Sequence, residues 1–508
     1  MPERARRTFR SIFHAALILL LAWTDAAIAA DWRFEVRFPK EVRAESYSGR
    51  VYLFFTNSSR QEPRLGPNWF RPEQFIARDV EDWKPGEPLL LDAARPEDLL
   101  AFPEPLARMD LAGRRAQAVV RFEPYERRVG TGPGNGYSAV RTLAAPPNDG
   151  AAIPFTVDAI AAEPVFRETR WSKLLEVESK LLSGFHSRPV KLRAAVVLPA
   201  SYYDRPARRY PTIFEVPGFG GTHFAAITDR PVAERNAQGV EFLRVTLDPS
   251  CPRGHHAFAD SENNGPVGRA LVEELLPAFD ARFRSIAAPT ARCLTGHSSG
   301  GWSSLWIQIA HPDTFGGVWS TSPDPVDFRD FQRIDLYAPN ANMYVDPAGN
   351  PRPLARVGGR VVLWYRDFDQ MERVLGHGGQ LHSFEAVFSP RGADGRPIPL
   401  WSRETGAVDP AVARAWRKYD IRLVVEEHWK TLGPQLAGKL HVITGGEDTF
   451  YLEGAVRLLK KSLADLGSDA VIEIVPGKDH SDVLSRELLE RMRAEMTAAF
   501  LRNHAGWE

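Results

Sequence analysis

Arg292-Cys293-Leu294-Thr295-Gly296-His297-Ser298-Ser299-Gly300-Gly301-Trp302 is the stretch on which the fold turns. Its first four residues read as a strand, and 302–310 reads as a helix, so the residues between must make a strand-to-helix turn. A bend that sharp needs small residues, and besides Ser298 four of the six residues 296–301 are glycine or serine. The turn frames G-x-S-x-G with Ser298 in the middle. A serine held there stands above the end of its strand and at the positive end of the following helix, where developing negative charge is stabilised. The pattern points to Ser298 as a nucleophile; a glycine-rich structural turn is the competing explanation.

Outward from this turn, apolar strand-like runs alternate with helical ones. Strands are expected at 190–198, 212–216, 240–247, 318–321, 440–444 and 471–475, and helices at 266–281, 299–310 and 453–466. That rhythm indicates a mostly parallel sheet covered on both faces, with its ligand at the carboxyl ends of the strands. Residues 325–436, rich in Pro, Gly, Arg and Trp, break the rhythm and read as an insertion above the sheet. Residues 31–150 read as β-rich. The run Trp32-Arg33-Phe34-Glu35-Val36-Arg37-Phe38 alternates as a half-buried strand does, and turn residues recur at short intervals, which favours a sandwich-like domain. The Pro/Gly-rich stretch 144–150 is the expected linker, with the catalytic part running from about 175 to 508. Residues 1–30 carry Arg4, Arg6, Arg7 and Arg10, a short apolar run at 12–23, and Ala27-Ile28-Ala29. This is the pattern of a cleaved signal peptide, and roughly twelve apolar residues are too few to span a bilayer. The mature chain is therefore expected to be secreted or periplasmic, with no stable membrane span.

A nucleophilic serine needs a base and an acid that orients it, and in such a sheet they follow in the order Ser, acid, His. Asp448 lies just past the strand at 440–444; Glu447 is its neighbour and rival, and Asp324 or Asp327 are alternatives after an earlier strand. His480 follows the last apolar strand in the turn Pro476-Gly477-Lys478-Asp479-His480. The oxyanion needs two preorganised N–H donors. One is expected from Ser299, directly after the nucleophile, and the other from Phe219 or Gly220 in Pro217-Gly218-Phe219-Gly220-Gly221.

At these residues the chain resembles the putative esterase family of α/β-hydrolases, which includes feruloyl esterases, ferric-enterobactin-type esterases and the antigen 85 mycolyltransferases. The resemblance covers about 180–325 and 437–500. It implies an α/β-hydrolase fold, a doubly wound mostly parallel sheet with a large insertion. It also implies nucleophile, acid and base roles for Ser298, Asp448 and His480. Where many hydrolases have His-Gly at the oxyanion loop, this chain has Pro217-Gly218.

Composition sets the remaining bounds. Sixty-four Lys and Arg balance sixty-four Asp and Glu, which disfavours binding of nucleic acid by bulk charge. Two cysteines make neither a disulfide scaffold nor a Cys-rich zinc site, and Cys251 and Cys293 are placed at opposite ends of their strands. His255 and His256 are adjacent, and adjacent side chains rarely converge on one metal ion, so they read as pocket wall; His297 and Trp302, flanking the serine, join them as pocket candidates. Trp364, Tyr365, Trp401, Trp416 and Trp429 form either an aromatic cap over the site or the insertion's own core. The expected activity is hydrolysis of a carboxylic ester, carbohydrate-linked esters included, without metal or organic cofactor. Acyl transfer, peptide hydrolysis on the same triad and a catalytically silent glycan-binding protein are the rivals. The oligomeric state is left open.

Overall fold

The computed structural model describes residues 31–232 and 238–507; the expected signal segment 1–30 lies outside them. An eight-stranded sheet forms the centre of the chain. Its order is Ser172–Glu178, Lys191–Val197, Leu243–Leu247, Thr212–Val216, Arg292–His297, Gly317–Thr321, Leu440–Gly445 and Val471–Val475. The first two pairings are antiparallel and the other five parallel. Neighbouring residues of each strand feed separate cores. Phe214, Leu294, Val318 and Val442 face the helix Ser299–Ala310, while Ile213, Cys293, Trp319 and Ile443 face the helix Arg486–Asn503. Burial on both sides explains why these strands read as continuous apolar runs. The segments bearing Ser298, Asp448, His480 and residues 217–221 all leave the sheet at the carboxyl ends of its parallel strands.

The N-terminal part is one nine-stranded sheet that begins with Arg33–Arg37 and ends with Ile153–Ile160. It rolls over on itself: Trp32, Phe34 and Val36 share a core with Val51, Leu53 and Phe55. The last strand pairs with Arg33–Arg37 and with Gly136–Ser138, so the sheet runs past the boundary expected at residue 150. The sequence alternation marks Arg33–Arg37 well, where Phe34 and Val36 are buried between more exposed neighbours. In Tyr47–Thr56 the last six residues are all buried, because Tyr52 and Phe54 point away from the domain's own core and into the core of the central sheet. The two parts are thus packed together through an apolar face.

Between Thr321 and Leu440 the chain leaves the sheet and forms a hairpin (Pro353–Val357 with Arg360–Trp364) and the helices Tyr365–Leu375, Gln380–Phe388, Pro410–Trp416 and Ile421–Leu436. Phe328, Phe331 and Phe388 surround Trp416, with ring centroids 5.1 Å apart for Phe388 and Trp416, and Phe384 stacks on Phe388. Tyr365, Trp401 and Trp416 are buried in this core and Trp364 is exposed, so these aromatics fill the segment rather than cap the site. Helix Ile421–Leu436 lies against helix Ser299–Ala310 and returns the chain to the sheet, as a parallel connection requires. It belongs to the cover of the sheet, although the sequence rhythm had put it in the insertion. Both cysteines are free: Cys293 is buried under the sheet, and Cys251 sits near Asn264. Among the described residues no helix is long and apolar enough to cross a membrane.

Candidate active site

Ser298 sits between its strand and the helix Ser299–Ala310 with φ 60° and ψ −128°, a backbone conformation that costs a residue with a Cβ roughly 1–3 kcal/mol. Its N–H donates to the Thr321 carbonyl at 3.0 Å, which pins the turn to the neighbouring strand. The flanking glycines are steric requirements. A Cβ on Gly296 would lie 2.1 Å from the Gly300 carbonyl oxygen, and one on Gly300 would lie 1.9 Å from that of Val216. The turn therefore closes only with the spacing seen in the sequence.

Asp448 and His480 come from adjacent loops that are joined by backbone. Gly446 N–H donates to Val475 O at 2.7 Å and Glu447 N–H to Lys478 O at 2.9 Å. A Cβ on Gly445 would lie 2.3 Å from the Lys478 carbonyl oxygen, so glycine is what lets the loops touch. The result is a bond of 2.8 Å between His480 Nδ1 and Asp448 Oδ2, with Asp448 fully buried. The other carboxylate oxygen accepts from Phe450 N–H at 2.8 Å. A carboxylate can only accept, so Nδ1 carries the proton and Nε2 of the neutral ring is left as a base. The ring of His480 is held by the edge of Phe450 at 5.0 Å and by the ring of His297, next to Ser298, at 4.5 Å. Burial pushes His297 down to about 4, so it stays a neutral spacer.

The rival acids fall away for separate reasons. Glu447 is exposed. Asp327 is bound to Arg329 at 2.6 Å and to Arg422 at 3.2 Å. Asp324 is buried beside the serine turn, with its N–H 3.3 Å from Ser298 O, and Gln380 Nε2 bridges its carboxyl (3.3 Å) and Ser299 Oγ (3.2 Å). Burial pushes the Asp324 carboxyl from 3.8 up to about 6. Between those values the folded chain keeps a proton that the unfolded chain has lost, so stability falls as pH rises through that window. Asp324→Asn removes the cost of burying the charge. Thermal denaturation should show the variant more stable than the native chain at pH 8, by up to about 3 kcal/mol, with the difference vanishing near pH 4.

The loop 217–221 presses against the serine: a Cβ on Gly218 would lie 3.3 Å from Ser298 Cβ. The N–H groups of Phe219 and Gly220 have no acceptor among the described residues, and Ser299, first in its helix, has none within the helix. Three groups from elsewhere hold this loop. His255 Nε2 bonds Pro217 O at 3.0 Å, and because Ala257 N–H donates to His255 Nδ1 at 3.1 Å, the Nε2 is the donor. Burial pushes His255 down to about 4, which keeps that tautomer neutral. Arg127, from the N-terminal domain, donates to Gly220 O at 3.1 Å. Trp69, from the same domain, stacks on Phe219 at 5.5 Å and meets Phe450 edge-on at 6.5 Å.

Ser298, His480, Asp448, Ser299, Phe219 and Gly220 are thus gathered at one edge, together with His297 and His255. His256 faces a different cavity, and Trp302 is not a pocket residue: it is buried between Trp306 and Phe388 in the apolar core. Reading the sequence missed Trp69, Arg127 and Phe450. The one available signal was Trp69-Phe70, an aromatic pair in a Pro/Gly-rich loop, where large apolar side chains need a partner.

A search of curated proteins finds no match. Among solved structures the chain is similar to a ferulic acid esterase (16% identity, 65% of this chain and 99% of that one, TM-score 0.41). It is also similar to an S-formylglutathione hydrolase from Agrobacterium tumefaciens (15%, 64% and 94%, TM-score 0.39) and a ferulic acid esterase from Anaeromyces mucronatus (13%, 65% and 89%, TM-score 0.33). The family described as "Putative esterase" matches residues 187–420, a span that contains the Ser298 turn and loop 217–221 and stops short of Asp448 and His480. That match covers the part that bears the strained serine, and over those residues the chain is similar to the esterase family.

Proposed function

We propose that the chain is an exported serine esterase working through an acyl-enzyme, with Ser298 as nucleophile, His480 as general base and acid, and Asp448 as the group that orients the imidazole. Ser298 Oγ attacks the ester carbonyl as His480 Nε2 takes its proton. The buried Asp448 carboxylate stabilises the imidazolium so formed. The N–H groups of Ser299 and of Phe219 or Gly220 bind the oxyanion. His480 then returns its proton to the leaving alcohol, and water activated by the same nitrogen releases the acid. The fold of this reading is an α/β-hydrolase doubly wound sheet with residues 325–420 as the insertion, entered after removal of residues 1–30. The wall of Trp69, Phe219 and Phe450 beside the site fits an ester with a flat, apolar group.

The observation that carries the reading is the 2.8 Å His480–Asp448 bond set against the strained Ser298 turn at the same sheet edge. An active-site-directed fluorophosphonate tests it. The native protein should gain one covalent adduct, mapped by peptide mass spectrometry to Ser298, and lose hydrolysis of a short-chain aryl ester in proportion. An adduct elsewhere, or none while hydrolysis proceeds, would rule the assignment out.

A further inference from the structure

A cleft of about 1330 Å3 opens where the N-terminal domain, the central sheet's loops and the inserted segment meet. Neither Ser298, Asp448 nor His480 lines it. Ten Lys and Arg side chains face it against three carboxylates, in a chain whose formal charges cancel. The three acids are already engaged. Asp79 holds Arg50 at 2.7 Å, Asp248 bonds His223 at 2.7 Å, and Glu385 holds Arg403 at 2.5 Å. Arg121, though only 5% exposed, reaches no carboxylate; it donates to the carbonyls of Glu126 and His377. Arg253 donates to Gly395 O alone, and the buried Nε of Arg43 has no hydrogen-bond partner, its guanidinium lying over the Phe122 ring at 5.5 Å.

The surrounding histidines are depressed mainly by burial, and the nearby positive charges add to it. Burial first, then the charges of Arg403 and His377, push His382 down to about 3; burial, then Arg121, push His377 down to about 4. Arg253 is itself held below the usual guanidinium range by burial and by Arg391 and Arg396. A cleft of one sign with low-dielectric walls focuses its field outward and concentrates ions of the other sign. Part of the cationic set has a structural duty: Arg50 donates to the carbonyls of Arg373 and Val374, and Arg121 to that of His377, tying the inserted segment to the N-terminal domain. That duty does not account for Arg253, Arg391 and Arg396, which line the cleft near enough to one another to repel; of the three only Arg396 stands near a carboxylate, 4.0 Å from Asp394.

We infer that this cleft is a binding site for a small polyanion, a molecule bearing two or more carboxylate or phosphate groups that Arg253 and Arg391, whose guanidinium groups meet no carboxylate among the described residues, would grip by charge-assisted, fork-like hydrogen bonds. Its volume exceeds what one monovalent ion would fill and matches an oligosaccharide of acidic sugars or a short polyphosphate. The site is separate from the ester-cleaving edge and does not depend on the roles assigned there.

Isothermal titration calorimetry of the full chain at low ionic strength tests the inference, with sodium tripolyphosphate and a galacturonic acid trimer as the two probes. At least one should bind saturably, and the one that does identifies the source of the anionic groups. Binding should weaken as salt is raised. Ser298→Ala should bind as the native chain does. The double variant Arg253→Gln/Arg391→Gln should bind about tenfold more weakly or worse, with circular dichroism to verify its fold. If that variant does not fold, Arg396→Gln, whose side chain is 81% exposed, gives the same comparison with a smaller loss. No saturable binding of either probe up to about 10 mM, or unchanged affinity in a folded variant, overturns the inference.

Discussion

Ser298→Ala is expected to lower kcat on a short-chain aryl ester by about 10⁶-fold, with the fold unchanged. The substitution deletes one oxygen that makes no hydrogen bond among the described residues, so stability should move by less than about 0.5 kcal/mol. The strained backbone is no worse for alanine than for serine, since both carry a Cβ. What remains is whatever rate the backbone N–H donors and substrate positioning supply without a nucleophile, of order 10³ over water. Kinetics and a melting curve on the same preparation check both halves. Full activity with an unchanged melting temperature would remove Ser298 from the mechanism.

Asp448→Asn is expected to lower kcat by about 10⁴-fold. The asparagine can still accept from Phe450 N–H through its carbonyl oxygen, so the loop should keep its shape. The change falls on the other atom. An amide NH2 would then face His480 Nδ1, which must become the acceptor, and the ring proton moves to Nε2. A ring in that tautomer has no lone pair for the serine proton. It also loses the negative charge that stabilises the imidazolium. Because the fault is a protonation state, activity should partly return at alkaline pH, where hydroxide can deprotonate the serine. A pH–rate profile separates this outcome from simple misfolding, which no pH would rescue. Activity within tenfold of native across the profile would show that another carboxylate, Asp324 first among them, orients His480.

How far the sequence foretold this arrangement depends on what kind of force acts at each residue. The serine turn was legible because its geometry admits almost no other residues: Gly296 and Gly300 are demanded by carbonyl oxygens that a Cβ would strike. The alternation of strands and helices was legible because burial on two faces leaves long apolar runs. Asp448 outranked Glu447 by position alone, and burial of one beside exposure of the other agrees with that ranking. Trp69 and Arg127 could not be found this way. They reach the Phe219 loop from a separate domain, more than ninety residues earlier for Arg127, and no local period encodes such a meeting. His255 was expected only as pocket wall, because its grip on Pro217 depends on a loop returning across the sheet. The boundary at 150 was misplaced because a Pro/Gly-rich stretch can be a turn within a sheet as readily as a linker between domains.

The apolar face shared by the two parts sets a lower limit on the piece of this chain that could be made alone. Tyr52, Phe54, Phe75, Phe102 and Val119 lie in the same core as the strands of the central sheet. A fragment trimmed to the family-matched residues would bare the surface these side chains cover, at a loss of about 1.5–3 kcal/mol for each large group. It would also discard the edge strand Ser172–Glu178 and open its neighbour to pairing with other molecules. Such a fragment would be sticky and would lack the Trp69 wall, so recombinant work on the catalyst calls for the chain from residue 31 onward.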